Sequence, residues 1–158
     1  MSVTEQDNGY RLLVKTVFGF AEPVVTIGIH EKAGSVSMTN GKTLVDIANI
    51  NEFGSADVHV PQRSFVRAPF DAHEAELRKD LVGLMIDVLN GRRTKEQILD
   101  IIGQKGVGIL QKAIADQIPP PNAPYTIQKK GSSTPLVATG FMRSSITYEV
   151  DPGEKKAT

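Results

Sequence analysis

Residues 10–30 read YRLLVKTVFGFAEPVVTIGIH, and the spacing of their apolar positions changes half-way along. Tyr10, Leu13, Val14, Val17 and Phe18 share one face at helical spacing, with Gly19 placed to close the helix. After Pro23 the spacing becomes two: Val25, Ile27 and Ile29 alternate with Val24, Thr26, Gly28 and His30, the pattern of a half-buried strand. The switch of period marks an α+β start.

Working outward, EKAGSVSMTNGK (31–42) is polar and contains Asn40-Gly41, which predicts a projecting hairpin or loop. Thr43 is placed to cap a helix over about 44–53 carrying Leu44, Ile47 and Ala48, with Gly54 as a left-handed stop. Pro61 and Pro69 bracket an extended piece, partly buried through Phe65. Asp71 and Glu74 form a capping pair for the longest helix, 72–89, which repeats Leu77, Leu81, Leu84 and Val88 before Asn90-Gly91.

Thr94 and Gln97 form a second capping box, for a short helix with Ile98, Ile101 and Ile102 that stops at Gly103. A further helix from about Val107 to Gln117 buries Leu110, Ala113 and Ile114 until Pro119, Pro120 and Pro121 end it. Five of the nine prolines lie between 119 and 135, so 119–138 reads as a long irregular connection. Thr139 is placed to cap a short turn through Phe141 and Met142. Ile146, Tyr148 and Val150 then alternate with Thr147 and Glu149 as a last strand.

These elements predict a single α+β domain over 1–150, followed by a solvated tail, 151–158. A small mixed or antiparallel sheet, with strands near 24–30 and 145–150, packs against the helix near 72–89, accompanied by several short helices and the long Pro-rich loop.

Composition narrows the function. The 158 residues carry 18 Lys+Arg against 18 Asp+Glu, whereas a protein that lives on nucleic-acid phosphates normally shows a basic excess. Zero Cys removes disulfides, thiolate nucleophiles and every Cys-based metal site. No basic stretch followed by an apolar core opens the chain and no apolar run reaches about 18 residues, so the expectation is a soluble, unexported protein with no membrane partner.

Catalytic chemistry finds no foothold in the pattern. His30, His59 and His73 lack a second ligand at metal-helix spacing, and His73-Glu74 is followed at position 77 by Leu rather than His. GQKGVG (103–108) follows a predicted helix and lacks the Gly-Lys-Ser/Thr ending of a phosphate loop. The segment 94–118 has the outline of a helix-turn-helix, yet its second helix offers Gln111 and Lys112 without a cluster able to read bases. No nucleophile and base are placed together. The expectation is a non-enzymatic protein without cofactor or metal.

Two stretches are distinctive together: NEFGSADVHVPQRSFVRAPFD (51–71) and PLVATGFMRSSITYEV (135–150). They resemble the head-tail joining or tail-completion family of long-tailed bacteriophages, whose members are often labelled virion morphogenesis or minor tail proteins. Asn51, Glu52, Phe53 and Gly54 match that family's helix-ending turn. Val60, Pro61, Arg63, Phe65 and Arg67 match its extended stretch, with Ser64 where Pro is commoner. Pro135, Leu136, Thr139, Gly140, Met142, Ser145 and Ile146 match its C-terminal element.

The resemblance implies a structural protein of the virion neck or upper tail, made in the bacterial cytoplasm. It would be one subunit of a homo-oligomeric ring, a hexamer or dodecamer, that joins the finished tail to the DNA-filled head. Its implied partners are copies of itself, neighbouring neck or connector proteins, and tail-tube or tail-terminator proteins. A tail terminator capping the tube is the alternative within that class, and a small DNA-binding protein using 94–118 is the alternative outside it.

In this reading Phe65 anchors the core. Arg63 and Arg67 would either cross an interface on their apolar stems or stand solvated beside local carboxylates, unless the piece is irregular. Residues 119–138 read as an arm: in an extended chain Tyr125 and Ile127 point the same way, and Lys129 and Lys130 suit acidic groups on a neighbour.

Overall fold

Strands β1 (Val24–Ile29) and β2 (Ile146–Asp151) pair antiparallel, from Val24 opposite Asp151 to Ile29 opposite Ile146. The computed structural model describes residues 24–38, 41–57, 59–116, 118, 120, 128 and 140–151. The helix expected over 10–18 lies outside the described residues, as does the tail beyond Asp151, which itself belongs to β2.

The polar stretch after β1 is not wholly loop. It makes one helical turn, α1 (Glu31–Gly34), then a tight return in which Ser37 bridges Thr43 and the Met38 N–H donates to the Lys42 carbonyl at 2.7 Å. Helix α2 (Leu44–Phe53) starts where its cap predicts. Thr43 Oγ1 accepts the Asp46 N–H at 3.2 Å, and the Asp46 carboxylate accepts the Thr43 N–H at 2.8 Å.

Helix α3 (Arg67–Leu89) begins earlier than the Asp71–Glu74 pair predicts. Pro69 sits in its first turn, where a missing N–H costs nothing because that N–H would have no intrahelical partner. The end, at Asn90 and Gly91, is as expected.

The largest correction concerns residues 95–115, which form one unbroken helix, α4 (Lys95–Ala115), opened by the Thr94–Gln97 capping box. Gly103 is not a stop. A Cβ there would lie 2.2 Å from the Tyr148 ring, and one at Gly106 would lie 2.3 Å from Ile27 Cδ1. The two glycines let the sheet settle directly on the helix, a close approach that offsets their helix-propensity cost of about 1 kcal/mol each. With no turn at 103–106, the helix-turn-helix outline of 94–118 disappears.

Accordingly the sheet packs chiefly on α4 rather than on the long α3, which itself packs on α4. Tyr148 donates its hydroxyl to Asp100. Lys105 of α4 ties α3 through Glu76 at 2.7 Å and through Asp80. The core gathers Leu44, Phe65, Leu110, Ile114, Met142 and Ile146, all buried, while α3 contributes no buried residue. A last turn, α5 (Phe141–Ser144), leads into β2. Its N-terminal flank is Gly140, at φ 64°, and Thr139, expected as the cap, lies outside the described residues.

Candidate functional site

The residues matched in 51–67 converge on one carboxylate. Glu52 sits in the last turn of α2 in step with Leu44 and Ala48, the buried face of that helix, and is itself only 7% exposed. Its oxygens accept the Ser64 hydroxyl at 2.6 Å and the N–H groups of Phe65, Val66 and Arg67 at 2.8, 2.9 and 3.2 Å. These N–H groups lead into the start of α3, whose unpaired amides and positive dipole end favour an anion. Ser64 in turn accepts the Ala68 N–H at 3.0 Å, so the residue standing where the resembled family commonly has Pro works as a cap.

Burial opposes charge on Glu52, yet the Ser64 hydroxyl and the three backbone donors outweigh it and hold the carboxyl below its ordinary value. The carboxylate therefore joins the end of one helix to the beginning of the next.

The chain between these helices is fixed by short contacts. Gly54 leaves α2 at φ 75°, ψ 169°, a conformation essentially confined to glycine and distinct from the left-handed helical stop expected. A Cβ there would stand 2.9 Å from the Gln62 nitrogen. Ser55 and Val60 then exchange backbone hydrogen bonds at 2.8 and 3.0 Å across a turn in which His59 adopts φ 53°. Asn51 accepts the Arg63 N–H at 2.7 Å, and its side chain donates to the Ile47 carbonyl at 2.7 Å.

Arg63 and Arg67 do not share a face, because 61–66 is irregular. Arg63 is buried, and its Nε donates to the Pro120 carbonyl at 2.8 Å, which ties this junction to the proline-rich connection. Burial lowers the pKa of its guanidinium from the ordinary value. Arg67 is exposed at the start of α3, and Pro61 is exposed as well. Phe65 is 1% exposed, the core anchor expected, whereas Phe53 is 66% exposed.

Beside the clasp lies an apolar groove of about 530 Å³ between β1, α2 and the start of α3. Phe65, Leu110 and Ile146 reach its floor, and Val45 and Phe53 stand on its wall. Its polar lining residues include Glu52, already satisfied by four donors, and Arg67. The arrangement is equipped to hold apolar groups.

Elsewhere, His30 bridges Thr26 and Thr147 at 3.1 and 2.9 Å, and His73 Nδ1 donates to the Pro69 carbonyl at 2.8 Å. Among the described residues no three His, Cys, Asp or Glu side chains are grouped to hold a metal ion, and no helix is long and apolar enough to cross a membrane. Tyr125, Ile127, Lys129, Lys130 and Thr139 lie outside the described residues, while Gly140 lies on the far side of the sequence from the clasp, before α5.

The organising role of Glu52 is not assigned by the sequence reading, although a signal exists: a carboxylate in step with Leu44 and Ala48 on a buried face requires partners. No protein-family model, curated protein or solved structure matches this chain.

Proposed function

We propose that this chain is a structural virion protein of the bacteriophage neck or upper tail, a ring subunit that joins the completed tail to the DNA-filled head. The reading rests on the resemblance carried by residues 51–71 and 135–150. One observation carries it further: the matched residues Glu52, Phe65 and Arg67, split by a turn in the sequence, make a single junction, to which Ser64 adds a hydroxyl where the resembled family commonly has Pro. That junction borders an apolar groove with Phe53 standing exposed. Residues so used hold shape and present a contact surface, which is what a subunit in a closed ring of repeated contacts needs.

The continuous, core-packed α4 supports this reading over the DNA-binding alternative, since the segment lacks a separate helix free to enter a groove. The chain would act without cofactor, in contact with its own copies and with neck, tail-tube or terminator proteins.

The test is loss of the protein during phage growth. The expected phenotype is full heads and finished tails of normal length that fail to join, with joining restored by purified protein. Overlong tails would favour the terminator role, and normal virions would end both readings.

A further inference from the structure

A second apolar groove, of about 410 Å³, lies between β1, α3 and α4, with none of its lining from β2. Ile27, Phe70, Leu77, Leu81 and Ile102 form its apolar surface, and the exposed Asp71, Glu74 and Arg78 border it. The groove is open: α3 buries none of its 23 residues, and Leu81 is 37% exposed. Among the described residues β1 pairs only with β2, which leaves its other edge unpaired there.

Direction along the groove follows from α4. Gln111 donates to the Ile146 carbonyl and Gly103 approaches Tyr148, so β2 runs against α4 and β1, its antiparallel partner, runs with it. Helix α3 is joined to α4 only through residues 90–94 and runs the opposite way, with Phe70 by Gly106 and Leu81 sharing the groove with Ile102. The Leu81–Ile102 end of the groove is therefore the end where β1 begins.

We propose that residues 10–18, which precede β1 by residues 19–23, form a helix lying in this groove, against the direction of β1 and alongside α3 in parallel. Chain length fits. Five linking residues span at most about 18 Å, which keeps Phe18 near the Leu81 end. Nine helical residues then extend ~13 Å, within the roughly 17 Å of β1. So short a helix is not stable alone, and Tyr10, Leu13, Val14, Val17 and Phe18 need an apolar surface against which to form it.

Charge selects this groove over the larger one beside Glu52. Arg11 and Lys15, one turn apart on one flank of the apolar face, make the segment basic, and it contains no acidic residue. The larger groove offers Arg67 and a carboxylate already satisfied by four donors. Here Glu74 offsets Arg78 at 2.7 Å, while Asp71 has no ion pair among the described residues. With Phe18 by Leu81 and Val14 by Leu77, Arg11 falls beside Asp71. The docking belongs to the single subunit and stands independently of the neck assignment.

The absence of cysteine makes the test clean. The double variant Val14→Cys/Leu77→Cys, and the control Val14→Cys/Glu149→Cys on the outward face of β2, are treated with a short bis-maleimide that spans the roughly 8–10 Å between packed helices. The expected product is a link within one chain for the first pair and none for the control. Links between chains would give the groove to a second copy and overturn the proposal, as would no link, or equal linking in the control.

Hydrogen exchange on the unaltered chain is the second measurement. Amides of 10–18 should exchange at least about tenfold more slowly than an unstructured chain of that sequence. Leu81→Asp, at a side chain already partly exposed, should return them to the unstructured rate while β2 stays protected. Unstructured rates in the unaltered chain overturn the proposal. Protection that survives Leu81→Asp places the segment elsewhere and overturns it too.

Discussion

The Glu52 carboxylate accepts the Phe65 amide hydrogen at 2.8 Å across thirteen residues of chain. Through this bond and its neighbours, the end of α2 specifies where α3 begins. The helix thus starts at Arg67 although no residue of its own first turn caps it.

Glu52→Ala leaves three backbone donors without their acceptor. At about 1–3 kcal/mol for each buried unsatisfied group, discounted for partial access to water, a loss on the order of 3 kcal/mol is expected. A domain of this size should melt roughly 6–12 °C lower. Thermal denaturation measures it, and a shift under 2 °C would show that the carboxylate is not needed.

Acid should act through the same group. The folded-state pKa of Glu52 lies below its unfolded value of 4.5, so its contribution is complete above that value and lost as pH falls through the folded one. Urea unfolding below pH 4.5 should therefore show a shallower fall in stability for Glu52→Gln than for the parent chain.

The α4 glycines separate cleanly. Gly103→Ala drives a Cβ into the Tyr148 ring and should cost about 1–3 kcal/mol as overpacking, whereas Gly106→Ala meets only the terminal methyl of Ile27, which can turn aside, and should cost less than Gly103→Ala. Gly108 has nothing within 4 Å of its would-be Cβ, so Gly108→Ala should stabilise by roughly 0.4–1 kcal/mol. Equilibrium denaturation of the three variants tests the contrast in sign.

Phe65 and Phe53 lie twelve positions apart in one motif and should behave oppositely. Phe65→Ala empties a buried site and should cost about 3–5 kcal/mol. Phe53→Asp, at a side chain 66% exposed, should leave the melt within about 0.5 kcal/mol while abolishing head-tail joining. Joining at the parental level in Phe53→Asp would remove the groove wall from the proposed contact surface.

Several elements were legible because their determinants are local. The Thr43 cap and the Thr94–Gln97 box act within one turn, and the alternation of Ile27 and Ile29 with Thr26, or of Ile146 and Tyr148 with Thr147, is written in adjacent residues. Those signals established an α+β chain, both strands and the start of α2, and the buried Phe65 stood out as the large apolar residue between Pro61 and Pro69. The candidate site was half legible: its residues stood in the matched motif, but their partnerships did not.

What only the tertiary structure decided depends on partners distant in sequence. A glycine inside a helical pattern reads as a stop from local statistics, and whether it stops the chain or admits a neighbour depends on Tyr148 and Ile27 arriving over Gly103 and Gly106. Arg63 reads as a surface cation until Pro120, fifty-seven residues on, supplies a carbonyl that makes its burial tolerable. Glu52, in step with Leu44 and Ala48, needs partners that the sequence does not name, and the amides leading into α3 supply them. In each case the sequence fixes what a residue is able to do, and the free energy of burial, which depends on what packs around it, selects what it does.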